Sequence, residues 1–152
     1  MICAMAPTHA ASDPVSLFCK KVIISQRDEI LLMQNWLRDR AERVPDPNDT
    51  HPRDTVNMRM DEGLIPMPGM LTAAQLKQLD GARGTTWDTL FLADMIRNHQ
   101  GALTMVATLF DSPSAAQTPE IFGYATDVDQ RAEIERMEGM LSSLQRRTPH
   151  EE

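Results

Sequence analysis

Apolar residues recur along this chain at three- and four-residue intervals, the spacing that places one face of a helix against a core. From Val15 the positions Leu17, Phe18, Val22, Ile24, Ile30, Met33, Trp36 and Leu37 keep that spacing and predict a helix over 14–42, with Asp13 as N-cap, Pro14 in the first turn and a charged end at Arg38 to Arg43. A second helix is predicted over 85–110, capped by Thr85 or Thr86, with Asp88 at the positive end of its dipole. At about 100° per residue, Met95, Asn98, Ala102 and Met105 share a narrow arc of this helix, with His99 at its edge. Asp111-Ser112-Pro113-Ser114 breaks it. Thr118-Pro119-Glu120 opens a third helix, carried to about 146 by Ile121, Tyr124, Val128, Ile134, Met137 and Leu141. Between the first two, Val44 to Leu71 contains five prolines (Pro45, Pro47, Pro52, Pro66, Pro68) and reads as a long connection, followed by a short helix over 73–80 with Thr72 as N-cap and Gly81 and Gly84 closing it.

A chain of 152 residues, 41% of them apolar, suffices for one domain with a real core. The formal net charge of −7, with carboxylates interspersed among the Lys and Arg, argues against a grip on nucleic acid or anionic lipid. No run approaches the roughly 18 apolar residues that span a bilayer, and the leading MICAMAPTHAA has neither basic leader nor long apolar core, so no signal peptide is read there. Cys3 and Cys19 are too few for a disulfide framework; they pair or stay free. The composition becomes unusual at methionine: eleven Met against 5% aromatics. Met is a good gap filler in helical cores, and its thioether is also a soft donor for ions such as Cu(I).

QRDEILLMQNWL from Gln26 and QRAEIERMEGML from Gln130 agree at six of twelve positions at constant offset, which marks a duplicated helical unit. In each copy the Gln, Glu and Met (Gln26, Glu29, Met33; Gln130, Glu133, Met137) fall on one arc, facing the core, where a carboxylate requires a partner: a helix terminus, an Arg such as Arg27 or Arg131, or the imidazole of His99. His99 itself reads two ways. It is either a core histidine satisfied by a carboxylate such as Glu133, or, with Met95 and Met105 nearby, part of a soft-metal site. Met58, Met60, Met67 and Met70 in the Pro-rich connection are a second candidate cluster, and Cys3, Met5 and His9 a third. No His follows a Glu at the three-residue spacing of di-iron carboxylate bundles, and zinc-site, phosphate-loop, nucleophile-elbow and Cys-x-x-Cys patterns are missing, so a non-enzymatic protein is the more economical reading.

The segment MPGMLTAAQLKQLDGARGTTWDTLFLADMIRNHQGALTMV, followed by Asp129-Gln-Arg-Ala-Glu-Ile-Glu-Arg-Met, resembles the bacterial domain of unknown function 305 (DUF305), a ferritin-like, Met- and His-rich helical family. The resemblance runs over nearly the whole chain. It implies an all-α, ferritin-like bundle with a long Pro/Met-rich loop, here lacking one helix because no His-His helix precedes the first repeat. The expected organisation is a single domain over 1–152, in which 1–43 is the remnant of the first repeat, 44–71 the connecting loop and 72–146 the second repeat. Family members are commonly exported and some are implicated in periplasmic copper handling, so the resemblance implies a copper-binding protein of metal homeostasis or resistance. Met95, His99 and Met105 match the family's helix and Met137 the following one as metal positions, with Gln130 and Glu133 beside them. Asn98 departs from the pattern, standing where the first of two adjacent histidines is expected. The expected partners are a Cu(I) ion and, through apolar faces left bare by the missing helix, a second copy of the chain; the alternative is a metal-free structural or interaction protein.

Overall fold

The computed structural model describes residues 2–44, 68–111, 113 and 119–147, with side chains for all of these except 119–128 and 147. Every regular element among them is helical: a 3-10 turn over Ile2–Met5, α1 over Ala6–His9, α2 over Asp13–Asp39, α3 over Ala73–Gly81, α4 over Gly84–Phe110 and α5 over Pro119–Arg147. The all-α class and the three long helices follow from the periodicity. The packing divides the chain into two compact units, Met1–Cys19 with Met67–Glu152, and Lys20–Pro66. The border near residue 19 falls inside α2, and the other at the Pro-rich connection.

In the first unit, α4 and α5 are the dominant packed pair, with α1 and α3 against α4. Eight residues separate Phe110 from Pro119, and two long helices so joined run antiparallel as a hairpin. Its core is built from Trp87, Phe91, Leu92 and Met95 of α4 and Met137 of α5, joined by Leu79, Ala6, Cys3 and, from the first turns of α2, Val15, Phe18 and Cys19. Trp87 lies flat on Phe91, ring centroids 4.7 Å apart, although its buried indole N–H finds no acceptor among the described residues.

Helix starts differ from the expected caps in an instructive way. Thr72 does cap α3 and forms a full capping box with Gln75. At α4, however, neither Thr85 nor Thr86 caps; the helix begins at Gly84, whose φ of 65° favours glycine, and Arg83 occupies the cap position without a side-chain bond. Gly84 therefore opens α4 rather than closing α3. Asp13 is the first residue of α2, not its cap. The capping is instead supplied from a distance by Asp88, fully buried on α4, whose two carboxylate oxygens accept the N–H groups of Ala11 at 3.1 Å and Ser12 at 3.0 Å. Asp88 thus stabilises the start of α2 rather than the dipole of its own helix.

The duplicated arcs also diverge. On α5, Gln130 and Met137 are buried, whereas on α2 Met33 is exposed and Gln26 and Glu29 are half-buried, so the first copy does not face a core as the second does. Of the loop methionines, Met58, Met60 and Met67 lie outside the described residues, and Met70 is exposed. The Thr118 cap also lies outside them.

Candidate metal centre in the helical hairpin

Near the middle of α4, His99 is buried to 1% exposure, and its Nε2 lies 2.7 Å from Oε2 of Glu133 on α5. Glu133, at 14% exposure, keeps an edge to solvent. A carboxylate at that distance takes the Nε2 proton as a charge-assisted hydrogen bond and fixes the ring's orientation. With Nε2–H so committed, the neutral imidazole carries its lone pair on Nδ1. That atom is buried and has no partner among the described residues. A buried polar atom left open calls for an explanation.

The neighbours are sulfur. Met95 lies one turn before His99 on α4, and Met137 one turn after Glu133 on α5; both are buried. In an antiparallel hairpin these two steps lead to the same level, so the pairing of His99 with Glu133 sets Met95 across from Met137. Gln130, one turn the other way on α5, is buried as well. Met105 is not part of this set: it is 40% exposed, because about six residues along a helix turn it some 120° away from His99. Its expected place beside the imidazole is therefore corrected.

Asn98 has a different task. Its Nδ2 donates to the carbonyl oxygen of Gly69 at 3.3 Å, tying the Met-Pro-Gly-Met approach to α4. Gly69 takes a φ of 76°, and a Cβ there would come within 2.5 Å of the Arg97 carbonyl oxygen; a Cβ on Gly101 would collide with the backbone of Pro68 and Gly69. Two glycines thus let a chain segment lie directly on the helix backbone.

The third expected cluster does not form. His9 is engaged through both ring nitrogens, Nδ1 with Thr8 Oγ1 at 2.7 Å and Met5 O at 3.0 Å, and Nε2 with the Asp80 carbonyl oxygen at 3.1 Å. Among the described residues no three His, Cys, Asp or Glu side chains converge on one point.

Two features carry no signal in the sequence. Asp94 is buried beside Arg97, whose Nη1 approaches within 3.1 Å. Burial pushes its carboxyl above the ordinary range, and the Arg97 guanidinium offsets this only in part. The glycine contact of residues 69 and 101 is the other, since a lone helical glycine reads as a weak point rather than as a close approach.

The family profile described as "Domain of unknown function (DUF305)" matches residues 1–149. The chain is a DUF305 protein. Its fold is also that of a solved DUF305 structure, the crystal structure of a "putative secreted protein DUF305" from Streptomyces coelicolor, with a TM-score of 0.61 at 17% identity over 94% of this chain and 76% of that one. No curated protein matches this DUF305 chain significantly. In this DUF305 chain Asn98 gives the hairpin a backbone tie to Gly69.

Proposed function

We propose that this DUF305 protein is a non-enzymatic binder of a soft, monovalent metal ion, Cu(I), in copper homeostasis or resistance, and that it works outside the cytoplasm. The observation that carries the reading is the unpaired, buried Nδ1 of His99 on a ring already held from its far side by Glu133. This is how metal-ligating histidines are ordinarily prepared, one nitrogen oriented by a carboxylate and the other left for the ion. The thioethers of Met95 and Met137 supply neutral sulfur at the same level of the hairpin. One imidazole and two thioethers add no charge to the site, so they suit a singly charged soft cation and suit Mg²⁺ or Ca²⁺ poorly. Export rests on the description of the Streptomyces relative as secreted. Among the described residues no helix is long and apolar enough to cross a membrane.

The test is an anaerobic Cu(I) titration against a chromophoric competing chelator. Wild-type protein is expected to take one Cu(I) through this site, and a His99→Ala, Met95→Leu double variant to bind far more weakly. Equal affinity in the two proteins overturns the reading in favour of a metal-free bundle in which His99 and Glu133 only satisfy each other. A Cys3→Ala, Cys19→Ala variant, titrated in parallel, separates binding by thiolates from binding at His99. Because imidazole ligates only when neutral, acid weakens binding at this site, whereas thioethers do not titrate.

A further inference from the structure

One side of α2 is buried through Val15, Phe18, Cys19 and Val22. Another side of the same helix carries Leu17, Ile24 and Leu31, which are 55%, 56% and 48% exposed. These three follow one another at seven-residue steps, each turned only about 20° from the last, so they form a single line about 21 Å long. Large apolar side chains at that spacing on an open helix surface form the seam along which a second helix packs.

The duplicated unit supplies an internal control. Residues 26–37 of α2 correspond, position by position, to 130–141 of α5. The two copies share their Gln, Glu, Ile and Met but part at Leu31 and Leu32, whose counterparts are Glu135 and Arg136. All four of these side chains are exposed. At the same two positions, α5 turns an acid and a base to water and α2 turns two leucines. An acid and a base are what this helical unit carries where water is the neighbour, so the leucines of α2 call for a different neighbour.

The charges beside the line identify that neighbour. Lys21 lies between Leu17 and Ile24, and Asp28 between Ile24 and Leu31, both on one flank, about 60° and 40° around the helix from Ile24. The order Leu17, Lys21, Ile24, Asp28, Leu31 runs apolar, basic, apolar, acidic, apolar, and turned end for end it is its own complement. We infer that α2 pairs antiparallel with α2 of a second copy of the chain, about a two-fold axis at Ile24. Ile24 then packs on the partner's Ile24, Leu17 and Leu31 pack on each other at both ends, and Lys21 meets the partner's Asp28 twice. On the other flank Lys20 approaches the partner's Arg27. That like-charge approach weakens the pair without forbidding it, because both side chains are exposed and reach water, and Arg27 has Asp28 of its own chain at 3.7 Å. A parallel pair would set Lys21 on Lys21 and Asp28 on Asp28, so the charges select the antiparallel one. Three apolar layers and two ion pairs make a small interface, of the kind that forms and dissociates reversibly.

The experiment is sedimentation velocity on the full, metal-free chain, from low micromolar to several hundred micromolar, with reductant present so that the free Cys3 and Cys19 cannot link chains. Wild-type protein is expected to pass from monomer to dimer with concentration. Ile24→Glu sets two carboxylates against each other at the axis and should weaken dimerisation about 100-fold or more. Lys21→Glu should weaken it about 3- to 30-fold, and the charge-swapped Lys21→Glu, Asp28→Lys double variant should restore it. All three side chains are exposed on the single chain, so the variants keep the fold, which their circular dichroism and melting temperature at low micromolar concentration check. A wild-type chain that stays monomeric throughout overturns the inference, and so does a dimer that Ile24→Glu leaves unchanged. A dimer that is indifferent to Lys21→Glu, or that the charge swap fails to restore, overturns it as well. The wild-type dilution series needs no variant, and none of these outcomes depends on copper binding.

Discussion

Two carboxylates one helix apart show how environment sets a residue's role. Glu133 meets an imidazole and becomes the ring's fixed partner. Replacing it with Gln leaves the shape intact but removes the charge that orients His99, and Cu(I) affinity should fall about 10- to 100-fold in the competition titration. Asp94 is buried beside Arg97, and burial raises its carboxyl above the ordinary range despite that guanidinium. A carboxyl raised in the folded state binds its proton more tightly there than in the unfolded chain. Its favourable contribution is therefore present at acid pH and is lost as pH rises from the ordinary Asp range through the raised one. At neutral pH the charged form is a burden, so Asp94→Asn should raise the melting temperature by about 1–3 °C at pH 7, with the gain disappearing in acid. Thermal melts of the two proteins across pH give the sign directly. Nothing in the sequence separates Asp94 from any other helical carboxylate, because its burial is a property of the packed hairpin. His99 was different: its place beside Met95 on a three-to-four spacing was readable, and the carboxylate partner was named from the arc of Glu133.

At the scale of elements, the helices were legible because their apolar spacing is long and regular, but their starts were not. Local residues predicted caps at Asp13 and Thr85, and the structure replaced them with a carboxylate 76 residues beyond Ser12 and with a positive-φ glycine. Distant capping has no local signature. Asp88→Ala should remove two charge-assisted hydrogen bonds from the start of α2, costing about 2–4 kcal/mol, seen as a fall in the urea midpoint and lost amide-exchange protection at Ala11 and Ser12. The two helical glycines make a matched pair for the same assay. A Cβ at Gly101 meets Pro68 and Gly69 backbone, whereas one at Gly139 on α5 meets nothing within 4 Å. Gly101→Ala should destabilise by about 1–3 kcal/mol or more, and Gly139→Ala should stabilise by about 0.5–1 kcal/mol. The periodicity also placed Met105 on the stripe of Asn98. Along that stripe burial is uneven: Met95 is buried with His99, whereas Met105 at its far end is 40% exposed.

For the molecule as a whole, metal binding to the folded chain alone must appear as stability. At an excess of free ion of about 100 times the dissociation constant, the folded state gains about 2.7 kcal/mol. In a domain of this size that should lift the melting temperature by about 5–10 °C. Ag(I), an air-stable stand-in for Cu(I), is the convenient probe, and a His99→Ala protein melted with and without it should show little change. The repeat was visible in the sequence, and so was its family. What duplication could not foretell is that the two copies now live in different surroundings, Met137 in a core and Met33 at the surface. Identity of residues preserves a pattern, while burial depends on what is packed against it.

The seat of Pro68 and Gly69 on Gly101 acts as a register mark. The touchdown itself cannot slide. One helical turn in either direction replaces the bare backbone of Gly101 with the side chain of Arg97 or Met105. Grafts and length variants of this protein are therefore pinned from Pro68 on.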